Sequence, residues 1–235
     1  MHQDADRSLR RRAEADPAPL VDHTLLRAEA RGGEIEALCA EAAEFGFASV
    51  CVNPRWVPLA ARRLEGSPVR VGTVLGFPLG ADGRRTKVEA ARAAQDEGAR
   101  ELDAVIDIGA LRDGDDAAVA RELAALVAAR RRGVRLKVIL ETALLTPEER
   151  ERGAGLVLAS GADFVKTSTG FGPGGATLED VALLRRVAGD RMGVKASGGI
   201  RDLPTLLAMV EAGADRIGTS SGVAIVAAAR GKERS

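Results

Sequence analysis

The sequence predicts an α/β protein that folds as a single-domain (β/α)8 TIM barrel behind a short N-terminal arm. Short apolar runs alternate along the chain with Ala-, Leu- and Arg-rich segments of helical period, which indicates repeated βα units. A glycine stands shortly before most of these runs, where a helix needs a left-handed residue to end. The chain has 235 residues, 46% of them hydrophobic, which suits one domain with a substantial core.

The elements follow from local signals along the chain. Eight strands are predicted at residues 20–25, 48–52, 69–75, 101–107, 134–140, 162–166, 192–196 and 215–218. Helix starts are indicated by the capping boxes at residues 86–89 (Thr86 to Glu89) and 146–149 (Thr146 to Glu149), and by Asp202 followed by Pro204. Helix ends are predicted at Gly46, Gly98, Gly133, Gly161, Gly189 and Gly213.

The domain prediction is a polar N-terminal arm over residues 1–19, the barrel over residues 20–230 and a charged tail over residues 231–235. An open doubly wound sheet is the main alternative, because periodicity alone does not exclude it. Eight regular units with polar loops after the last strands favour the closed barrel.

Charge and composition exclude several function classes. Lys+Arg and Asp+Glu each total 34, so no overall field draws the chain to nucleic acid or to a membrane, and neither is expected as a partner. Two histidines, His2 and His23, are too few for a usual catalytic zinc site, and no G-x-S-x-G motif serves a hydrolase. Cys39 and Cys51 are expected to be small buried residues. Residues 1–16 lack the apolar region of a signal peptide, which predicts the cytoplasm.

Two lysines at the carboxyl ends of predicted strands are the main catalytic candidates, since barrel active sites lie at that end. Lys166 ends the sixth strand and Lys195 lies on the seventh, with Asp103 on the fourth. Neighbouring strands are about 4.8 Å apart, so the two ammonium groups repel and lower at least one pKa from about 10.4. A lysine made neutral in this way attacks a carbonyl.

A structural interpretation of the same lysines stays open at this point. Lys166 and Lys195 could simply pair with Asp103, Asp107 or Glu141 inside the barrel. For Lys137, the third lysine in a buried strand, a supporting role is the better interpretation.

Three loops rich in glycine and hydroxyl groups follow the sixth, seventh and eighth strands. They are residues 167–170 (Thr-Ser-Thr-Gly), 197–199 (Ser-Gly-Gly) and 218–222 (Gly-Thr-Ser-Ser-Gly). Backbone N–H groups in such loops hold a phosphate without a basic patch, so we expect a small phosphorylated substrate, although any one loop could be an ordinary turn. The run 170–175 matches G-x-G-x-x-G, but its proline and its late position favour a mobile lid over a dinucleotide site.

At this point a set of ordered motifs resembles deoxyribose-phosphate aldolase, a family of class I aldolases with a (β/α)8 barrel. The motifs are Asp22-His23-Thr24-Leu25-Leu26, Ser49-Val50-Cys51-Val52-Asn53-Pro54, Gly76-Phe77-Pro78-Leu79-Gly80, Glu101-Leu102-Asp103, Leu136-Lys137-Val138-Ile139-Leu140-Glu141-Thr142, Phe164-Val165-Lys166-Thr167-Ser168-Thr169-Gly170 and Val194-Lys195-Ala196-Ser197-Gly198-Gly199-Ile200-Arg201.

The resemblance implies reversible cleavage of 2-deoxy-D-ribose 5-phosphate to acetaldehyde and D-glyceraldehyde 3-phosphate, with no metal and no external cofactor. It implies Lys166 as the Schiff-base residue, Lys195 as the lysine that lowers its pKa, and Asp103 as the carboxylate of the proton relay. The implied substrate-binding residues are Asp22, Thr24, Thr169, Gly170, Gly198, Gly199, Gly218, Ser220 and Ser221. A homo-oligomer, with a dimer as the guess, is also expected.

Two departures from the family pattern stand out. Position 107 is aspartate where asparagine is expected, which adds a charge near the site, and the chain has no tyrosine for a relay through a C-terminal tyrosine. Two alternatives also remain: an imine-forming barrel aldolase for a different phosphorylated sugar, and a non-catalytic phosphate-binding barrel whose lysines are structural.

Overall fold

A computed structural model describes residues 13–232, and within them eight parallel strands close into a barrel in chain order. Strand β1 pairs with both β2 and β8, which closes the barrel. The strands are β1 (Val21–Leu25), β2 (Ser49–Val52), β3 (Arg70–Leu75), β4 (Glu101–Val105), β5 (Arg135–Ile139), β6 (Phe164–Lys166), β7 (Gly193–Ser197) and β8 (Arg216–Thr219). The predicted fold class is confirmed, and the open sheet is excluded.

Helices follow the strands. They are α1 (Gly32–Phe45), α2 (Val57–Arg63), α3 (Arg84–Asp96), α4 (Ile108–Arg112), α5 (Asp116–Ala129), α6 (Pro147–Ser160), α7 (Leu178–Ala188), α8 (Leu203–Glu211) and α9 (Gly222–Lys232). The capping box of Thr146 and Glu149 is confirmed at α6, and Asp202 caps α8 by accepting a hydrogen bond from Thr205 N. All six glycines predicted to end helices have positive φ.

The capping box predicted at Thr86 is wrong. Helix α3 begins at Arg84 behind Gly83, so Thr86 already lies within the first turn. The reason is tertiary. The buried Lys87 side chain donates to Glu122 on α5 and to the Val105 carbonyl, and this contact sets where the helix runs.

The strands bury both of their faces, but with different residues. On β4, Leu102 and Ala104 face the helices and join the apolar core, whereas Glu101 and Asp103 alternate with them and point into the barrel lumen. TIM-barrel lumens are usually filled by bulky branched side chains. In this barrel, ion pairs occupy the lumen instead.

The predicted arm is described only from residue 13 onward, and its Ala13 and Ala18 are buried in the core. Residues 1–12 and 233–235, which include most of the predicted arm and tail, lie outside the described part. Within residues 13–232, no helix is long and apolar enough to cross a membrane.

Candidate active site

A cavity of about 370 Å³ opens at the carboxyl ends of β1, β6, β7 and β8. Lys166, the last residue of β6, lies on its wall and is only 3% exposed. The other lining residues are Thr24, Leu25, Leu26, Arg27, Thr169, Gly170, Phe171, Ser197, Gly198, Gly199, Ile200, Arg201, Gly218, Thr219 and Ser220. The cavity therefore joins the nucleophile candidate to the three loops predicted to bind phosphate.

The two candidate lysines meet at one carboxylate. Lys166 and Lys195 are direct register partners on β6 and β7. Lys166 Nζ donates to Asp103 Oδ2 at 2.8 Å, and Lys195 Nζ donates to the same oxygen at 2.6 Å. Lys195 Nζ also lies 2.6 Å from Asp22 Oδ2. Lys195 thus has two carboxylate partners, and Lys166 has one.

Deeper in the lumen, Lys137 Nζ lies 2.5 Å from Glu101 Oε2 and 2.8 Å from Asp103 Oδ1. Arg216 contacts Asp22 and lies 2.9 Å from Glu101 Oε2. We call the seven residues that form these ion pairs the charge cluster. Its members are Asp22, Glu101, Asp103, Lys137, Lys166, Lys195 and Arg216.

The lysines of the charge cluster differ in the direction of their pKa shifts. Burial lowers the pKa of Lys166, the nearby Lys195 ammonium lowers it further, and its single partner Asp103 does not compensate. Burial also acts to lower the pKa of Lys195, but Asp103 and Asp22 together raise it above its ordinary value. The pKa of Lys137 is also raised, because Asp103, Asp22 and Glu101 together outweigh the lowering effect of burial. Lys166 is therefore the lysine that most readily becomes neutral.

The charge balance of the cluster agrees with this order. It contains three carboxylates and four basic side chains, so it carries one surplus positive charge when every basic group is protonated. A surplus charge in a buried site is costly. Loss of the Lys166 proton removes it and leaves every carboxylate of the cluster with a cationic partner.

Glycines bring the loops predicted to bind phosphate close together. Gly198 and Gly199 have φ of 89° and 82°, values that side chains other than glycine rarely adopt. A Cβ on Gly218 would lie 2.9 Å from Ser197 Cβ and 3.1 Å from Lys195 Cε. Helix α9 begins just beyond this loop, so its free N–H groups face the same end of the barrel.

Two of the predicted substrate-binding residues do not line the cavity. Asp22 lies beneath it, where it bonds Lys195, Arg216 and Ser49. Ser221 is not part of the lining, and its backbone N–H donates to Thr219 Oγ1. The remaining seven are on the cavity wall: Thr24, Thr169, Gly170, Gly198, Gly199, Gly218 and Ser220.

Asp107 and Glu141, considered as partners for the lysines, lie outside the charge cluster. Asp107 follows the end of β4 and caps α4 by accepting a hydrogen bond from Ala110 N at 3.0 Å. Glu141 instead accepts hydrogen bonds from the backbone N–H and hydroxyl of Thr169. Asp107 therefore serves a helix end, and the expectation that its charge affects the site stays a prediction.

The G-x-G-x-x-G run packs against the active-site loops. A Cβ on Gly175 would lie 2.3 Å from the Gly198 carbonyl oxygen, and one on Gly172 would lie 2.8 Å from the Glu141 carboxyl carbon. Phe171, 54% exposed, meets Phe77 edge to face at 5.3 Å. These glycines are needed for close backbone approach, and a mobile lid at this run stays a prediction.

Four residues near the site were not singled out from the sequence. Glu101 and Arg216 complete the charge cluster, and Arg27 and Arg201 add positive charge to the cavity wall. A signal existed for two of them. Glu101 lies two residues before Asp103 and so shares its face of β4, and Arg201 directly follows the loop at 197–199.

The cysteines are unpaired and buried, as predicted. Burial raises the pKa of both Cys39 and Cys51 to about 11, so both thiols stay protonated at neutral pH. Among residues 13–232, no group of three or more histidine, cysteine, aspartate or glutamate side chains converges in a way that could hold a metal ion.

A family model described as "DeoC/LacD family aldolase" matches residues 18–228. The chain belongs to this family. It is 56% identical to the deoxyribose-phosphate aldolase of Shouchella clausii, over 92% of this chain and 97% of that protein. It is 54% identical to that of Geobacillus sp. (strain WCH70), over 89% and 94%. The deoxyribose phosphate aldolase structure from Aeropyrum pernix superposes with a TM-score of 0.86 at 33% identity, covering 95% of this chain and 97% of that one.

The family resemblance drawn from the motifs is thereby confirmed. As a member of this family the chain is an aldolase, a carbon–carbon lyase. A non-catalytic phosphate-binding barrel is no longer a viable alternative.

Proposed function

We propose that the chain reversibly cleaves 2-deoxy-D-ribose 5-phosphate to acetaldehyde and D-glyceraldehyde 3-phosphate through a Schiff base on Lys166. The substrate is supported by the curated relatives, which are deoxyribose-phosphate aldolases above 50% identity across most of both chains. One structural observation carries the choice of nucleophile. Lys166 has a lowered pKa and lines the cavity, whereas Lys195 and Lys137 have raised pKa values and lie behind its wall.

The neutral amine of Lys166 attacks the aldehyde carbon of the open-chain sugar, and loss of water gives a protonated imine. A base removes the proton of the C3 hydroxyl. The electron pair of the C2–C3 bond then passes into the imine, which releases D-glyceraldehyde 3-phosphate and leaves an enamine. Protonation at C2 and hydrolysis release acetaldehyde and restore the amine.

Proton transfer is assigned to Lys195 with water as the carrier, and Asp103 belongs to this relay as the ionised acceptor that holds both lysines in place. Lys195 is the register partner of Lys166 and shares its acceptor, Asp103 Oδ2, so its ammonium lies beside the amine that forms the imine. Against the effect of burial, Lys137, Lys166 and Lys195 hold the pKa of Asp103 far below its usual range. Asp103 therefore stays ionised and orients both lysines as their shared acceptor.

The substrate phosphate is assigned to the loops that carry Gly198, Gly199, Gly218 and Ser220, with Arg201 near the cavity mouth. Thr24 and Thr169 on the opposite wall are assigned to the sugar hydroxyls.

Ser220 and Ser221 provide a matched test of the phosphate site, because only Ser220 lines the cavity. A hydrogen bond to a charged group contributes about 1.5–3 kcal/mol, so Ser220→Ala should raise KM for deoxyribose 5-phosphate by roughly tenfold or more. Ser221→Ala keeps its backbone bond to Thr219 and should change KM less than about twofold. Unphosphorylated deoxyribose is the control substrate. Equal KM for the two variants would place the phosphate elsewhere.

The substrate itself is tested by product analysis. Purified protein incubated with deoxyribose 5-phosphate should release acetaldehyde and glyceraldehyde 3-phosphate in equal amounts, and should consume acetaldehyde as donor in the reverse direction. Efficient turnover of another phosphorylated sugar, without acetaldehyde as a product or donor, would favour an imine-forming aldolase of different specificity.

Assembly and location are further parts of the proposal. A homo-oligomer is supported by the tetramer named for the Aeropyrum pernix relative, whereas the guess of a dimer rests on the sequence resemblance alone. Light scattering after size exclusion would give the state. A cytoplasmic location stays a prediction from the residues at the start of the chain, and immunolocalisation tests it.

A further inference from the structure

A second cavity, of about 380 Å³, lies at the other end of the barrel. Arg70 and Arg135, the first residues of β3 and β5, lie on its wall, whereas Lys166 is the last residue of β6. Three consecutive arginines of the loop after α5, Arg130 to Arg132, complete a wall with five guanidinium groups. The chain as a whole has no net charge, so this concentration of positive charge is local.

Two of the five arginines are neutralised by direct ion pairs. Arg130 pairs with Asp163, which also lines the cavity and accepts a hydrogen bond from Leu136 N. Arg131 pairs with Asp96 on α3. These two arginines have a sufficient structural explanation.

Among residues 13–232, few carboxylates lie near the other three arginines. Arg135 Nη1 lies 3.7 Å and Arg70 Nε 4.0 Å from Glu101 Oε1, outside hydrogen-bond distance. The other oxygen of Glu101 is already bonded to Lys137 and Arg216. Arg132 is exposed. Within residues 13–232, Arg70 and Arg135 thus share one carboxylate oxygen at 3.7–4.0 Å, and Arg132 has no carboxylate partner within that distance.

We propose that this cavity binds a ligand with two linked phosphate groups, either free pyrophosphate or the diphosphate of a nucleoside diphosphate. Guanidinium groups present planar, paired donors that match phosphate oxygens. A diphosphate matches the charge of three guanidinium groups better than the one carboxylate that Arg70 and Arg135 share. The volume lies within the range of roughly 300–1,000 Å³ typical of small-molecule sites. The site is separate from the aldolase cavity, and its existence does not depend on the proposed substrate.

Isothermal titration of the full chain with inorganic pyrophosphate, ADP and AMP tests the proposal. The titrations are run at about 0.15 M salt, where the Debye length of about 8 Å suppresses non-specific attraction. We expect pyrophosphate or ADP to bind with Kd below about 1 mM and AMP at least tenfold more weakly. Equal Kd for pyrophosphate and ADP indicates the free diphosphate as ligand, and tighter binding of ADP indicates the nucleotide.

Variants locate the bound anion. Arg132→Ser and Arg70→Ser should each weaken binding by about three- to tenfold. Arg62→Ser, an exposed arginine on α2 outside this cavity, is the matched control and should bind like the unchanged protein. Arg201→Ser tests the aldolase cavity, which also has phosphate loops, and should leave the affinity unchanged.

Three results would overturn the proposal. The first is the absence of binding by the unchanged protein at this salt concentration. The second is binding that survives both Arg70→Ser and Arg132→Ser, and the third is binding lost in Arg201→Ser. Because Arg132 is exposed, its variant should fold normally, and a thermal melt confirms that the loss is local.

Discussion

The upper and lower parts of the barrel lumen both contain a buried lysine beside carboxylates, but the pKa shifts of the two lysines are opposite. At the top, Lys166 meets one carboxylate and borders an open cavity. Below it, Lys137 meets three carboxylates, Asp22, Glu101 and Asp103, within a sealed layer. Both lysines are almost fully buried, at 3% and 1% exposure, yet the pKa is lowered for Lys166 and raised for Lys137.

Burial alone therefore does not make a lysine reactive. Burial acts to lower the pKa of each lysine in the charge cluster, and the number of carboxylates within ion-pair distance decides whether that effect wins. In the lower layer, Lys137 and Arg216 stay charged and occupy Glu101 and one oxygen of Asp103. The surplus positive charge is left at the carboxyl ends of the strands, next to the cavity that Lys166 lines.

The largest effect is expected for Lys166→Leu. Turnover of deoxyribose 5-phosphate should fall by at least ~10⁴-fold, because no imine forms without the amine. The variant should fold normally, since removal of Lys166 leaves three carboxylates and three basic groups in the charge cluster. Steady-state kinetics and a denaturant titration check both parts. Near-normal turnover would disprove the role of Lys166.

Lys137→Leu is the matched substitution in the lower layer. It leaves Glu101 and Asp103 short of a cation in a buried site, so the free energy of unfolding should fall by about 3–5 kcal/mol. Urea denaturation of the two leucine variants under one set of conditions measures the difference. If Lys166→Leu lost as much stability as Lys137→Leu, the proposed imbalance of charge between the layers would be incorrect.

A smaller effect is expected when the neighbouring ammonium is removed. In Lys195→Leu, Lys166 loses a repelling charge and keeps Asp103, so its pKa rises and the acid limb of the kcat/KM profile should move to higher pH.

Lys195→Arg separates charge from proton transfer. The guanidinium preserves the positive charge, so the acid limb should stay near its original pH, while kcat falls because arginine does not release a proton. A limb that shifts equally in both variants would show that Lys195 acts through packing and not through its charge.

The smallest effect at ordinary pH is expected for the contribution of Asp22 and Asp103 to the free energy of unfolding. Burial acts to raise the pKa of Asp22 and Asp103, but the surrounding cations lower both pKa values well below the ordinary value of an aspartate. A depressed pKa in the folded state gives stability that is fully present above the unfolded value of about 3.9 and is lost as the pH falls further.

Acid titration followed by circular dichroism should therefore show the free energy of unfolding to be steady from neutral pH to about pH 5 and to decline below about pH 4. Asp202→Asn, at an exposed helix cap, is the control and should leave the main decline in place. A decline centred well above pH 5 would require a different titrating group.

Much of the fold could be predicted from the sequence because each βα unit carries its own signals. The apolar runs located every strand within two residues of its observed bounds, and glycines marked the helix ends. The start of α3 could not be predicted, since the pairing of Lys87 with Glu122 across two helices overrides the local capping signal. Local sequence carries no information about such contacts.

The candidate site could also be predicted only in part. Lys166, Lys195 and Asp103 could be named from strand position and from the resemblance, but strand spacing did not rank the two lysines. The ranking depends on Asp22, the second carboxylate partner of Lys195, which reaches the cluster from β1 only after the barrel has closed. The partners of a side chain across a lumen are set by register and closure.

Reductive trapping tests the central claim most directly. The protein is incubated with acetaldehyde and sodium borohydride, digested, and mapped by mass spectrometry, with the Lys166→Leu variant as control. We expect an ethyl adduct on the Lys166 peptide of the unchanged protein and none on the corresponding peptide of the Lys166→Leu variant. An adduct on Lys195 in the unchanged protein would reverse the two roles, and intact protein without any adduct would contradict imine chemistry.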